Sequence, residues 1–144
     1  MEARGNRQLM NSGVNIGCEQ TASTLHFGPY PNLNAWETSS FKKNFAGTTL
    51  VDSFHRYQME WSPDKIKFSV DDVQVGAVDI NNSGFWSRGN FASRAPGTWN
   101  PWQGATKAAP FDQEFYFVLN LAVGGVAFFP DQAVSNFSFK DIFT

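Results

Sequence analysis

Residues 54–80 read FHRYQMEWSPDKIKFSVDDVQVGAVDI. Within KIKFSV, Ile66, Phe68 and Val70 alternate with Lys65, Lys67 and Ser69, the period of two that gives a strand one buried and one wet face. Asp71-Asp72 interrupts the pattern before VQVGAVDI, so the spacing predicts a β-hairpin turning at the two aspartates. Runs of the same kind lie on either side: TASTLHF (21–27), SFHRYQMEW (53–61) and EFYFVLNLAV (114–123). Short β-rich runs separated by Gly, Pro and Asn, with little helical periodicity, predict an all-β sandwich. EFYFVLNLAV is apolar on both faces and is expected as a central strand. Asn120 within it must either bond to a neighbouring loop or face a polar cleft, and spacing leaves both readings open.

Composition sets the bounds. At 144 residues the chain has room for one domain. It carries 15 Phe and 5 Trp, only 17% charged residues and a net charge of −2, a balance that gives no reason to expect nucleic acid or an anionic membrane. No apolar run approaches the ~20 residues of a membrane span. Cys18 is the single cysteine, which excludes an intrachain disulfide and a cysteine-rich zinc site; it reads as a small packed residue. Two triplets, Asn81-Asn82-Ser83 and Asn136-Phe137-Ser138, would accept glycans in a secreted protein.

Residues 81–114 hold Trp86, Trp99 and Trp102 among Gly, Pro and polar residues. Loops beyond about 12–15 residues are uncommon in compact domains unless they serve a function. The three rings suggest an aromatic-lined surface, because flat rings offer apolar area to the C–H faces of sugars while neighbouring polar groups take the hydroxyls.

MEARGN, STLHFGP, FHRYQMEWSPDKIKFSVDD, GFW, NPW and APFDQEFYFVLNLAVGG occur in the order seen in the β-1,3-glucanases, or laminarinases, of glycoside hydrolase family 16. The resemblance runs over about residues 1–131 and is closest to the invertebrate β-1,3-glucan-binding proteins, also called Gram-negative bacteria-binding proteins. It implies a concanavalin-like jelly-roll β-sandwich. It also implies a secreted protein of innate immune defence that recognises β-1,3-glucan such as laminarin or fungal or bacterial cell-wall polysaccharide. Retaining endo-hydrolysis of β-1,3-glucosidic bonds is the leading activity. The alternatives are a receptor that binds the glucan with catalysis lost and a lectin-like structural module. Neither a cofactor nor a metal is expected.

The family's catalytic strand reads E-x-D-x-E, or E-x-D-x-x-E with a bulge, and Met1-Glu2 matches the end of the bulged form. Glu2 would then be the acid/base of a retaining pair, whose carboxyl groups stand about 5–5.5 Å apart. The first glutamate and the aspartate would lie upstream of Met1, so residues 1–144 are expected to be a partial domain, open at both ends and inactive as written. His26 matches a cleft position. Gln113 and Asn120 match polar positions of the C-terminal motif, and Trp86 and Trp102 are expected to contact sugar. Arg4 and Asn6 could bond to sugar or to adjacent backbone, and His55 and Glu60 read as scaffold. The chain departs from the pattern after NLAVGG: FSFKDIF alternates as a strand would but does not match the family's closing strand.

Overall fold

The computed structural model describes residues 1–81, 83–122 and 134–135. Among them are nine short strands: β1 (Glu2–Ala3), β2 (Leu9–Asn11), β3 (Val14–Asn15), β4 (Gln20–Thr24), β5 (Ser40–Asn44), β6 (Tyr57–Trp61), β7 (Lys65–Val70), β8 (Val73–Asp79) and β9 (Val134–Ser135). They form three-stranded sheets in the orders β1-β4-β5, β3-β2-β9 and β6-β7-β8. The pairings β1/β4, β2/β3, β2/β9, β6/β7 and β7/β8 are antiparallel. The expected all-β class is what the chain adopts.

The backbone clusters into two compact units, residues 1–22, 42–55 and the described residues after 115 in the first, and the described residues of 23–41 and 56–115 in the second. In the first unit Glu2 pairs with Ala22 and Ala3 with Thr21, and Leu9, Ile16, Cys18 and Ala22 are buried. Cys18 is a packed residue, as its isolation in the sequence suggested. Its Sγ accepts from Asn15 Nδ2 (3.1 Å) and donates to the Arg7 carbonyl (3.3 Å), and burial pushes the thiol pKa up.

The second unit holds the hairpin. Ile66, Phe68 and Val70 are 1%, 3% and 0% exposed, as the alternation requires. Ser69 is buried too, because a bulge between Phe68 and Ser69 re-aims the chain there. Asp71 and Asp72 turn with φ of 48° and 68°, left-handed at both central positions as a two-residue hairpin of this kind needs. Aspartate lacks glycine's freedom there, and β6 clasps the turn instead. The Arg56 N–H donates to Asp71 Oδ1 (2.8 Å), the Arg56 guanidinium pairs with Asp72, and Asp72 N–H donates to Gln58 Oε1 (3.3 Å).

Phe41, at the start of β5, packs on β7 and β8 within this unit. Its ring lies 6.5 Å from that of Phe68, over Gly76 of β8, where an added Cβ would stand 2.1 Å from Phe41 Cγ. Glycine is required here for want of space.

Two expectations are corrected. Residues 81–114 contain two short helices, α1 (Gly84–Arg88) and α2 (Phe91–Arg94), within the stretch read as a loop. Residues 114–122 form no strand among the described residues, and Phe117, Leu119 and Leu121 are 95%, 94% and 95% exposed. Apolar pattern alone does not make a central strand; ladder partners on both edges do. Asn82 of the first glycan triplet, all of the second, the end of NLAVGG and the segment FSFKDIF lie outside the described residues.

Gly76→Ala should lower stability by about 1–3 kcal/mol, the usual cost of overpacking, read as a lower denaturant midpoint. In a Phe41→Ala background the same glycine change should cost less, so the two changes should be non-additive.

Candidate functional site

Four phenylalanines fix this end of the second unit. The Phe27 ring meets Phe85 edge-on at 4.9 Å, Phe91 at 6.0 Å and Phe111 at 6.3 Å, and Phe85 meets Phe111 at 4.8 Å. Such edge-to-face contacts add about 0.5–1.5 kcal/mol each beyond area burial. Each inward ring neighbours polar or aromatic residues in sequence, so the cluster sets the positions of His26, Trp86, Asp112 and Gln113. Arginines pin the helices to the strands: Arg88 donates to the carbonyls of Thr38 (3.2 Å) and Asp79 (3.1 Å), and Arg94 to that of Asn34 (3.2 Å).

Three clefts open around this cluster. In the first, of about 430 Å³, His26 stands with Tyr30, Asn34, Phe111 and Phe115. Asn34 Nδ2 donates to His26 Nδ1 (2.9 Å) while its Oδ1 accepts the Trp36 N–H (3.1 Å). The amide is thereby oriented, and His26 keeps Nε2–H as its donor. The second cleft, of about 340 Å³, has Trp86 and Trp102 on its walls with Asn100, Gln103 and Lys107. The two indoles meet edge-on at 6.2 Å. Both are half-buried, and each also packs on Phe91 (5.3 and 6.0 Å). Their buried faces therefore belong to the aromatic core and their exposed parts to the cleft. Trp99 is 67% exposed. The third cleft, of about 390 Å³, brings Gln113 together with Trp61, Ser62, Thr106 and Asp112. Gln113 Nε2 and Thr106 Oγ1 both donate to the Asp112 carboxylate (2.9 and 2.7 Å), and these bonds, Gln113 first, pull its pKa below the usual range.

The remaining residues singled out in the sequence, Glu60 excepted, lie in the first unit. Glu2 is exposed on β1, its carbonyl accepting the Thr21 hydroxyl (2.9 Å). Arg4 donates to Gln20 Oε1 (3.0 Å) and the Ile16 carbonyl (3.4 Å). Burial lowers the guanidinium pKa and the Glu2 charge opposes that shift. Asn6 is half-buried, and its carbonyl lies 2.0 Å from where a Cβ on Gly17 would stand. Asn120 is exposed in the unpaired run. His55 Nε2 contacts the Thr49 carbonyl (3.0 Å) and Glu60 pairs with Lys67, consistent with scaffold.

Sequence reasoning passed over Asn34, Trp61, Thr106 and Asp112. Asp112 beside Gln113 in APFDQ was the signal available for one of them; the others depend on how distant segments meet. Taken together, ring edges next to amides and a carboxylate, with few mobile charges, can hold an uncharged polyhydroxylated ligand.

The family model described as glycosyl hydrolases family 16 matches residues 19–113. A beta-1,3-glucan-binding protein of Penaeus monodon is 39% identical over 136 residues, 94% of this chain and 35% of that one. A glucan endo-1,3-beta-glucosidase of Cryptopygus antarcticus is 33% identical over 107 residues, 74% of this chain and 33% of its own length. Gram-negative bacteria-binding protein 3 of Drosophila melanogaster is 36% identical over 74 residues, 51% of this chain and 15% of its own. The chain thus spans about a third or less of these relatives. No solved structure matches it significantly. Among the described residues, no helix is long and apolar enough to cross a membrane.

Thr106→Val should raise the Asp112 pKa back toward the ordinary carboxylate value, checked by a carboxyl-carbon NMR titration. Because the folded carboxyl holds its proton less tightly than the unfolded one, its small stabilising contribution is present at neutral pH and is lost as acid protonates it. The variant should show less of that acid dependence.

Proposed function

This chain belongs to glycosyl hydrolases family 16, whose fold is a jelly-roll β-sandwich, and from that premise we propose that it recognises β-1,3-glucan through the clefts of its second unit. The observation that carries the reading is the pairing of the Trp86 and Trp102 indoles with Asn100 and Gln103 in one cleft. An indole face excludes water from the C–H side of a glucose ring, and amides can both donate to and accept from its hydroxyls. The relatives named as a beta-1,3-glucan-binding protein and a Gram-negative bacteria-binding protein support glucan recognition, and with it a role outside the cell in defence against microbes.

Hydrolysis is the second part of the reading. Family membership and the relative named as a glucan endo-1,3-beta-glucosidase support it, with Glu2 as acid/base. Retention needs two carboxyl groups about 5–5.5 Å apart. The described strands of the sheet that holds Glu2, EA, QTAST and SFKKN, contain no other carboxylate. Turnover would therefore require a carboxylate from outside these strands to stand beside Glu2.

The test measures adsorption to insoluble β-1,3-glucan and release of reducing ends from laminarin side by side. The chain should adsorb, and Glu2→Gln should adsorb equally. Where a longer chain hydrolyses, Glu2→Gln should cut the rate ~10²–10⁴-fold, the usual worth of general acid–base catalysis. Failure to adsorb any β-1,3-glucan would end the recognition reading, and undiminished turnover in Glu2→Gln would remove Glu2 from the mechanism.

A further inference from the structure

The three clefts of the second unit share walls. Phe111 lines both the His26 cleft and the Trp61 cleft, and Thr106 lines both the Trp61 cleft and the Trp86/Trp102 cleft. The Trp61 cleft is therefore the middle member of a series. Its walls come from two places in the sequence that share no motif: the end of β6 with Ser62 and Pro63, and the segment from Thr106 to Gln113.

We propose that the Trp61 cleft is a saccharide subsite in its own right, with the Trp61 indole as platform and the Asp112 carboxylate as hydroxyl acceptor. The inference rests on the glucan reading and adds to it a subsite that lets one chain pass from the Trp86/Trp102 cleft toward His26. Trp61 is 42% exposed, and Phe115 meets it edge-on at 5.4 Å, which limits the ring's freedom before a ligand arrives and so lowers the cost of ordering it. Asp112 is held on two sides by Gln113 Nε2 and Thr106 Oγ1. A carboxylate has about four lone-pair directions, so those two donors leave acceptor capacity for vicinal hydroxyls, and hydrogen bonds to an ionised acceptor are the stronger kind. A volume of about 390 Å³ falls in the range of small-ligand pockets. A ring platform, an oriented carboxylate acceptor, the Gln113 amide and the Ser62 hydroxyl together make a set of contacts suited to a neutral pyranose.

The experiment titrates the chain with a β-1,3-gluco-hexasaccharide, following affinity by calorimetry and the Trp61 indole N–H and Asp112 carboxyl resonances by NMR. Trp61→Ala should weaken binding by about 2–12-fold, the equivalent of one stacked aromatic contact. Trp61→Phe should lose less, and Asp112→Asn, an isosteric change at an exposed position, should also weaken binding. Both resonances should move on titration of the unmodified chain. If Trp61→Ala melts early, Asp112→Asn and the resonance shifts decide. Hexasaccharide binding at full affinity by Asp112→Asn, with neither resonance moving, would overturn the subsite while leaving glucan recognition intact. A chain that binds no hexasaccharide at all would instead overturn the glucan reading, and the subsite with it.

Discussion

The second unit depends on one packing arrangement: Phe27, Phe85, Phe91 and Phe111 closing edge to face, with Phe85 and Phe91 only 2% and 0% exposed. The rings arrive from four separate segments, so the cluster has no local sequence signature, yet it sets the positions of their neighbours. A cavity in such a cluster would cost about 3–5 kcal/mol for a lost phenylalanine. It would also release the residues that line the clefts, so stability and recognition are coupled here through the same side chains. Trp86 and Trp102 show the coupling most directly, since each contributes one part of its ring to the core and another to a cleft.

The hairpin is held by a different balance. Two aspartates in left-handed conformation are unfavourable by themselves, and the strain is tolerated because Arg56, just before β6, and Gln58 within it satisfy the turn's N–H and carboxylate groups. Phe41 over Gly76 then ties the start of β5 to β8 within this unit. A turn, its clasp and one contact without a side chain on the β8 side account for the geometry of β6, β7 and β8.

Legibility in the sequence followed the range of the forces involved. The β7–β8 hairpin was readable because both its signals, period-two alternation and a two-residue turn, are local. The helices α1 and α2 were not, since five and four residues are too few to display a helical period. Residues 114–122 read as a strand from composition, whereas strand pairing is a property of neighbours. Among the site residues, Trp86 and Trp102 do come together, as their shared loop suggested. His26 and Gln113 fall in separate clefts because Phe27 and Phe111 direct their adjacent residues to different walls. Trp61, which sits in a motif read as scaffold, enters a cleft because β6 ends there. The opposite wall, Thr106 to Gln113, reaches it only through tertiary packing.

The charges near the clefts argue for an uncharged ligand in the proposed reading. Lys107 pairs with Asp64 at 2.6 Å, Arg88 is committed to two backbone carbonyls, and Arg94 bonds to the Asn34 carbonyl and lies over the Phe91 ring at 5.6 Å. The Lys107 charge is offset by Asp64, the guanidinium N–H groups of Arg88 and Arg94 are engaged by carbonyls of the fold, and the net charge of −2 does not favour a polyanion. Recognition then rests on ring faces and on hydrogen bonds, each weak against water. Weak contacts give useful affinity when a repeating ligand engages several at once, because each further contact is made at high effective concentration. A polymer of identical neutral sugars suits three adjoining clefts for that reason, and a single sugar unit does not.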